Sequence, residues 1–174
     1  MSRLSLVADL MAIAATTAPK AKGQNFVTTS IIEGDDLKRL AEAMMEHGKT
    51  KGDPKGWERD AKNVAASDCV VLIGIKDAKT AGLNCGACGS EKCVTINTYE
   101  GEFRGPQCAM RLADLGIAIG SAVKMASLLN VDNRVMYRVG VGARRCGLSD
   151  DDFVMGIPLS ATGKSIYFDR PPVG

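Results

Sequence analysis

Residues 77–105 constrain the fold more than any other part of the chain. They are rich in glycine and show neither a helical nor a strand period. About thirty such residues are unusual in a compact domain unless something organises them. The same stretch holds Cys85, Cys88 and Cys93 in NCGACGSEKC, and Cys108 follows in GPQC. Four thiols in a C-x2-C-x4-C-x14-C spacing are able to meet at one centre. Gly82, Gly86 and Gly89 permit the sharp turns that aim N–H groups at sulfur. Pro106 suits a first helical position, which sets Cys108 in the first turn of a long helix. The positive end of that helix favours a thiolate and suits an anionic cluster. The pattern therefore predicts an iron–sulfur cluster held by Cys85, Cys88, Cys93 and Cys108. Two other readings stand beside it. Zinc also takes four thiolates, though more often from two C-x2-C knuckles, and one such pair is present here. The third reading is a loop without metal.

Around this stretch, apolar periodicity predicts alternating helices and strands. A helix over residues 4–18 stops at Pro19, with Leu4, Val7, Met11, Ala14 and Ala18 on one face. A β-branched strand follows over residues 25–32. Asp35 and Asp36 are expected to cap a helix to about His47. Residues 49–56 read as a polar loop, and residues 57–66 as a helix. Cys69–Ile75 is a continuous apolar run and reads as a buried central strand. The helix opened by Pro106 runs to about Asn130. Its expected core face is Leu112, Leu115, Ile119, Val123, Ala126 and Leu129, while Gly116 and Gly120 admit a close backbone neighbour. Residues 135–141, 153–158 and 165–168 read as strands. No internal repeat is present. The result is a single layered domain over residues 1–174, with a cluster-binding segment at about 77–108.

The remaining polar and thiol residues carry less chemistry. Cys69 begins the apolar strand and reads as core. Cys146 follows Arg144 and Arg145 and reads as structural, although basic neighbours also lower a thiol pKa. His47 is the single histidine, expected in solvent at a helix end, which leaves no Ser/His/Asp hydrolase set elsewhere. Arg134, Arg138, Arg144 and Arg145 are expected on a solvated edge or paired with residues 150–152. Gly140 and Gly142 lack the third glycine of a dinucleotide fingerprint.

Formal net charge is +2 with eight aromatic residues, since Trp, Tyr and Phe number 1, 3 and 4. Nucleic-acid binders usually carry a strong basic excess and stacking platforms, so no such partner is expected. No apolar run spans a membrane. Asp9 interrupts the apolar N-terminal segment, which favours an amphipathic helix over a secretory signal. A cytoplasmic setting with reduced thiols is expected.

Three resemblances follow from these residues. GLNCGACGSEKC with Cys108 resembles the four-iron, four-sulfur motif of the Rnf electron-transport B subunit and the corrinoid iron–sulfur protein. TAPKAKG, the cysteine loop, GPQCAMRLADLGIAIGSAV and VDNRVMYRVG together resemble an uncharacterised prokaryotic family described as ferredoxin-domain proteins. APKAKGQN before FVTTSII, the helix DLGIAIGSAVKMASLLNV and the late strand FVMGIPLSATGK resemble the fold of FMN-dependent nitroreductases. That last resemblance implies an α+β, nitroreductase-like three-layer sandwich carrying a Cys-rich iron–sulfur loop. It also implies a homodimer built on the long central helix. An FMN site would lie near the first helix–strand junction, with Lys20 and Lys22 for the phosphate and Gln24 and Asn25 for the ring edge. Of the Arg-x-Ser-x-Arg phosphate clamp usual in nitroreductases, this chain has Arg3 and Ser5. The expected function is one-electron transfer through a [4Fe-4S] cluster to a redox partner protein or a small-molecule acceptor. An FMN-dependent oxidoreductase and a zinc-stabilised binding module are the alternatives.

Overall fold

The computed structural model describes residues 2–93 and 99–168. In chain order these form α1 (Ser5–Thr17), a 3-10 turn at Ala21–Gly23, β1 (Val27–Ile32), α2 (Asp35–Lys51), α3 (Pro54–Ala65), β2 (Cys69–Ile75), β3 (Tyr99–Glu100), β4 (Arg104–Gly105), α4 (Ala109–Leu128), β5 (Asp132–Asn133), α5 (Tyr137–Arg145) and β6 (Phe153–Ser160). Strands β1, β2, β6 and β5 lie side by side in that order, all antiparallel. All of β2 is buried. Its register sets Val71 between Ile31 and Ile157.

Successive strand side chains point to opposite faces, so one apolar strand feeds two cores. Cys69, Val71, Ile73 and Ile75 pack under α1 and α4, against Met11, Leu115, Ala118 and Ala122. Val70 and Leu72 pack on the other face against α2, α3 and α5, through Leu40, Met44, Trp57 and Val139. Helices covering both faces of a sheet make a three-layer α+β sandwich. Each large apolar side chain fully buried this way contributes roughly 1.5–3 kcal/mol. The core under α1 and α4 holds Ile75 of β2 and Leu115 of α4, the elements that flank the cysteine segment.

Several sequence expectations change. Residues 49–56 are mostly helical. Lys49 and Lys51 occupy the last turn of α2, Gly52 ends it at φ 76°, and Asp53 caps α3 ahead of Pro54. Lysines suit a helix C-terminus and proline suits a first turn, so the polar run is a helix joint. Asp35 and Asp36 lie in the first turn of α2 behind Gly34 and make no side-chain cap. Residues 135–141 are not a strand: Met136 makes one bridge to Gly156, and α5 begins at Tyr137. A Cβ on Gly140 would lie 1.9 Å from the Val154 carbonyl oxygen. Here glycine lets α5 rest directly on the β6 backbone, a contact no local propensity signals. Residues 166–168 form a turn, not a strand.

The long helix α4 begins at Ala109, with Cys108 as its N-cap and Pro106 outside it. Its buried face is Arg111, Asp114, Leu115, Ala118, Ala122 and Ala126. Leu112 and Leu129 are exposed, while Ile119 and Val123 are half-buried against the core. The face is rotated from the expected one because α4 approaches the sheet through alanines. Gly116 and Gly120 have open space around them within the chain.

Candidate metal centre

Cys85, Cys88, Cys93 and Cys108 line one cavity of about 780 Å³. Three come from the loop that leaves β2, and the fourth from the N-terminus of α4. The loop curls because Asn84, Gly86 and Gly89 take left-handed backbone conformations, at φ 48°, 70° and 87°. Asparagine is among the few non-glycine residues that accept that region readily. Its side chain also closes the loop. Cys93 N–H donates to Asn84 Oδ1 at 2.8 Å, and Asn84 N–H donates to Cys93 Sγ at 3.2 Å.

Cys108 sits where the helix presents free N–H groups. Burial works to raise its pKa. The N–H groups of Ala81, Arg111 and Met110, with the Arg111 charge, outweigh that and hold the thiol below its ordinary value. All six cysteines are free thiols. Among the described residues, no three His, Cys, Asp or Glu side chains converge tightly enough to hold a single metal ion. The four cysteines line the same cavity. This donor set, with N–H groups placed to offset negative charge on sulfur, fits a group that thiolates grip at several atoms.

The first turn of α4, next to Cys108, carries Arg111, which is 1% exposed. Its guanidinium donates to the carbonyls of Lys79 and Ala21 at 2.9 and 3.0 Å, to Asp114 at 3.1 Å and to Gln24 at 2.5 Å. It also lies over the Phe26 ring, 4.8 Å from the centroid. Arg104 lines the cavity. It pairs with Asp152 at 2.7 Å and with Glu100 at 2.9 Å. Sequence reasoning missed the Arg111–Asp114 pair. Its one signal was the i, i+3 placement of opposite charges inside an apolar helix.

The other residues singled out earlier take varied places. Cys69 is fully buried, and burial pushes its thiol up to about 11. Cys146 ends α5, and burial raises its pKa despite Arg39 nearby. His47 is buried rather than solvated, edge-on to Trp57 at 4.8 Å between ring centroids. Its partner is Glu102, 2.7 Å away. Arg134, Arg138 and Arg144 find partners other than residues 150–152, and Arg145 is exposed. Arg138 pairs with Asp53 and Asp60, and Arg144 with Glu100. Arg134 lies over Phe168.

Of the residues expected to meet FMN, Lys20 donates to the carbonyls of Ala15, Thr16 and Ala18 at the end of α1. Desolvation lowers its pKa. Gln24 accepts from Arg111, and Asn25 accepts from the Val27 N–H at 3.2 Å. Lys22 reaches toward Gly82, at the head of the cysteine loop. Arg3 pairs with Asp68 at 3.1 Å and the Ala161 carbonyl at 2.7 Å, and Ser5 donates to Glu33. No helix among the described residues is long and apolar enough to cross a membrane.

This architecture is that of the nitroreductase-like fold. The FMN-dependent nitroreductase NfnB from Mycobacterium smegmatis, solved with NADPH, superposes with a TM-score of 0.64 at 10% identity, over 98% of this chain and 85% of that one. A nitroreductase with bound FMN from Desulfitobacterium hafniense gives 0.61 at 13% identity, over 97% and 81%. At such identities these likenesses establish the fold. An uncharacterized protein from Archaeoglobus fulgidus is 45% identical over 172 residues, covering 97% of this chain and 92% of its own. The profile of a family described as uncharacterized proteins containing a ferredoxin domain matches residues 104–170. The chain belongs to one family with the Archaeoglobus fulgidus protein, and its residues 104–170 match the ferredoxin-domain profile. The matched region includes Cys108; Cys85, Cys88 and Cys93 precede it.

Proposed function

We propose that this protein is an iron–sulfur redox protein whose Cys85, Cys88, Cys93 and Cys108 hold a [4Fe-4S] cluster within the segment 77–108 of a single domain. The observation that carries the reading is the opening of all four thiols onto one cavity. When bound, the cluster supplies one-electron storage: a donor loses one electron and an acceptor gains one, with no bond made in the chain. The chain's own work is to grip the group and offset its charge. Asn84 N–H faces Cys93, and the α4 N-terminus faces Cys108. The donor and the acceptor are redox partner proteins or small molecules. A reducing, cytoplasmic setting would keep the four ligand cysteines available as thiolates.

A second reading is an FMN-dependent oxidoreductase, supported by the fold neighbours solved with FMN. The internal commitments of Lys20, Gln24 and Arg3 leave fewer groups for a flavin phosphate and ring than that fold usually offers. The face of α4 away from the sheet carries Leu112, Gly116, Ile117, Gly120 and Leu128, and it supports assembly as a homodimer.

One experiment separates the readings: anaerobic purification followed by absorption and metal analysis. The expected protein is brown, carries iron with acid-labile sulfide, and bleaches with dithionite. Resolved flavin bands would transfer the assignment to the flavoenzyme, in which the cluster would feed FMN. A colourless protein with stoichiometric zinc would make it a structural module.

A further inference from the structure

Arg111 stands in an electrostatically costly place. It occupies the first turn of α4, where the helix end is already positive and a cation is disfavoured. It is also buried, and a buried charge costs several kcal/mol unless opposing charge and hydrogen bonds offset it. Among the described residues it has one carboxylate partner, Asp114. That carboxylate is shared, because its other oxygen accepts the Ala21 N–H at 2.7 Å. Further negative charge at the N-terminus of α4 would complete the balance, and the cavity of the four thiols opens there.

Arg111 also joins the parts that shape the cavity. Its Nε holds the Lys79 carbonyl, in the strand-exit segment that lines the cavity. Its Nη1 holds the Ala21 carbonyl, and its backbone N–H bonds the Cys108 carbonyl at 2.9 Å. One side chain thus fixes the cavity wall to the helix end that carries the fourth thiol.

We infer that Arg111, poised by Asp114, is a positioning residue for the cluster: it fixes Cys108 against the Lys79 segment and its charge favours the reduced, more negative cluster. This rests on the cluster reading above. The two residues should therefore act on the midpoint potential with opposite signs. Removing the cation disfavours the added electron, and removing the Asp114 charge favours it. A purely structural role would not separate them, since loosening the site admits water in both variants.

The test is a redox titration of the iron-loaded full chain, comparing wild type with Arg111→Met, Arg111→Lys and Asp114→Asn. Expected are a lower potential in Arg111→Met, a higher one in Asp114→Asn, and a value near wild type in Arg111→Lys. Iron release to a chelator should be about tenfold faster in Arg111→Lys, which keeps the charge but loses the planar fork. Shifts of the same sign in Arg111→Met and Asp114→Asn, or none, would overturn the inference. If Arg111→Met does not fold, Asp114→Asn decides: a raised potential supports the inference, and a lowered or unchanged one overturns it. A wild-type protein that binds no iron and sulfide would overturn the cluster reading itself, and this inference with it.

Discussion

His47 Nε2 and Glu102 Oε1 lie 2.7 Å apart, joining α2 to the β3–β4 hairpin that leads into the candidate centre. Lys51 approaches the same oxygen at 3.1 Å, and the Tyr137 hydroxyl donates to the other. Burial raises the pKa of Glu102, but the His47 and Lys51 contacts outweigh it and hold the carboxyl below its usual range. A depressed carboxylate pKa adds stability above the unfolded value of about 4.3, lost as pH falls through the folded value. Glu102→Gln should therefore cost about 1 kcal/mol at pH 7. The gap to wild type should close as pH drops below about 4. Urea unfolding across pH checks this, and a gap that widens in acid would sink it.

The thiols divide into two groups with different fates. Serine at Cys85, Cys88, Cys93 or Cys108 should each remove most of the bound iron, while alanine at Cys69 or Cys146 should leave it. Cys69, protonated and without solvent contact, should resist iodoacetamide at pH 8 until the protein unfolds. Iron analysis and mass spectrometry of labelled peptides read both outcomes. Equal iron loss from Cys69→Ala would remove the distinction.

Gly140→Ala should be the most disruptive single-methyl change in α5. Its Cβ would meet backbone, the Val154 carbonyl, rather than a side chain able to turn away. The loss should be about 3 kcal/mol, read as a lower thermal midpoint. An unchanged midpoint would mean that α5 does not rest on β6.

Ile117→Asp with Gly120→Glu tests the homodimer. Both positions face away from the chain's own core, so the folded subunit should be retained. Light scattering at micromolar concentration should give dimer for wild type and monomer for the double variant. A monomeric wild type would refute the assembly.

The sequence features that proved legible are those carried by neighbours in the chain. Seven consecutive apolar residues, Cys69–Ile75, have no exposed face to offer, and they form the central strand at those limits. The cysteine spacing marked four residues that open onto one cavity. What stayed hidden depends on partners distant in sequence. His47 looked solvated because Glu102 lies 55 positions away. Residues 135–141 looked like a strand because Val139 and Val141 are β-branched, and the reason for glycine between them belongs to β6. The buried face of α4 misled because Arg111 and Asp114 satisfy each other and Gln24, Ala21 and Lys79 out of local view.

The strand order carries a consequence for the growing chain. β6 lies in the interior of the sheet between β2 and β5, yet it follows every one of the four candidate ligands in sequence. During synthesis β2 emerges with one edge unpaired, and Cys85 through Cys108 leave the ribosome before the strand that covers that edge. Long-range pairing of this kind forms slowly. The four candidate ligands are thus made while the body of the domain is still incomplete, and closure of β6 onto β2 is the event that ends that open period.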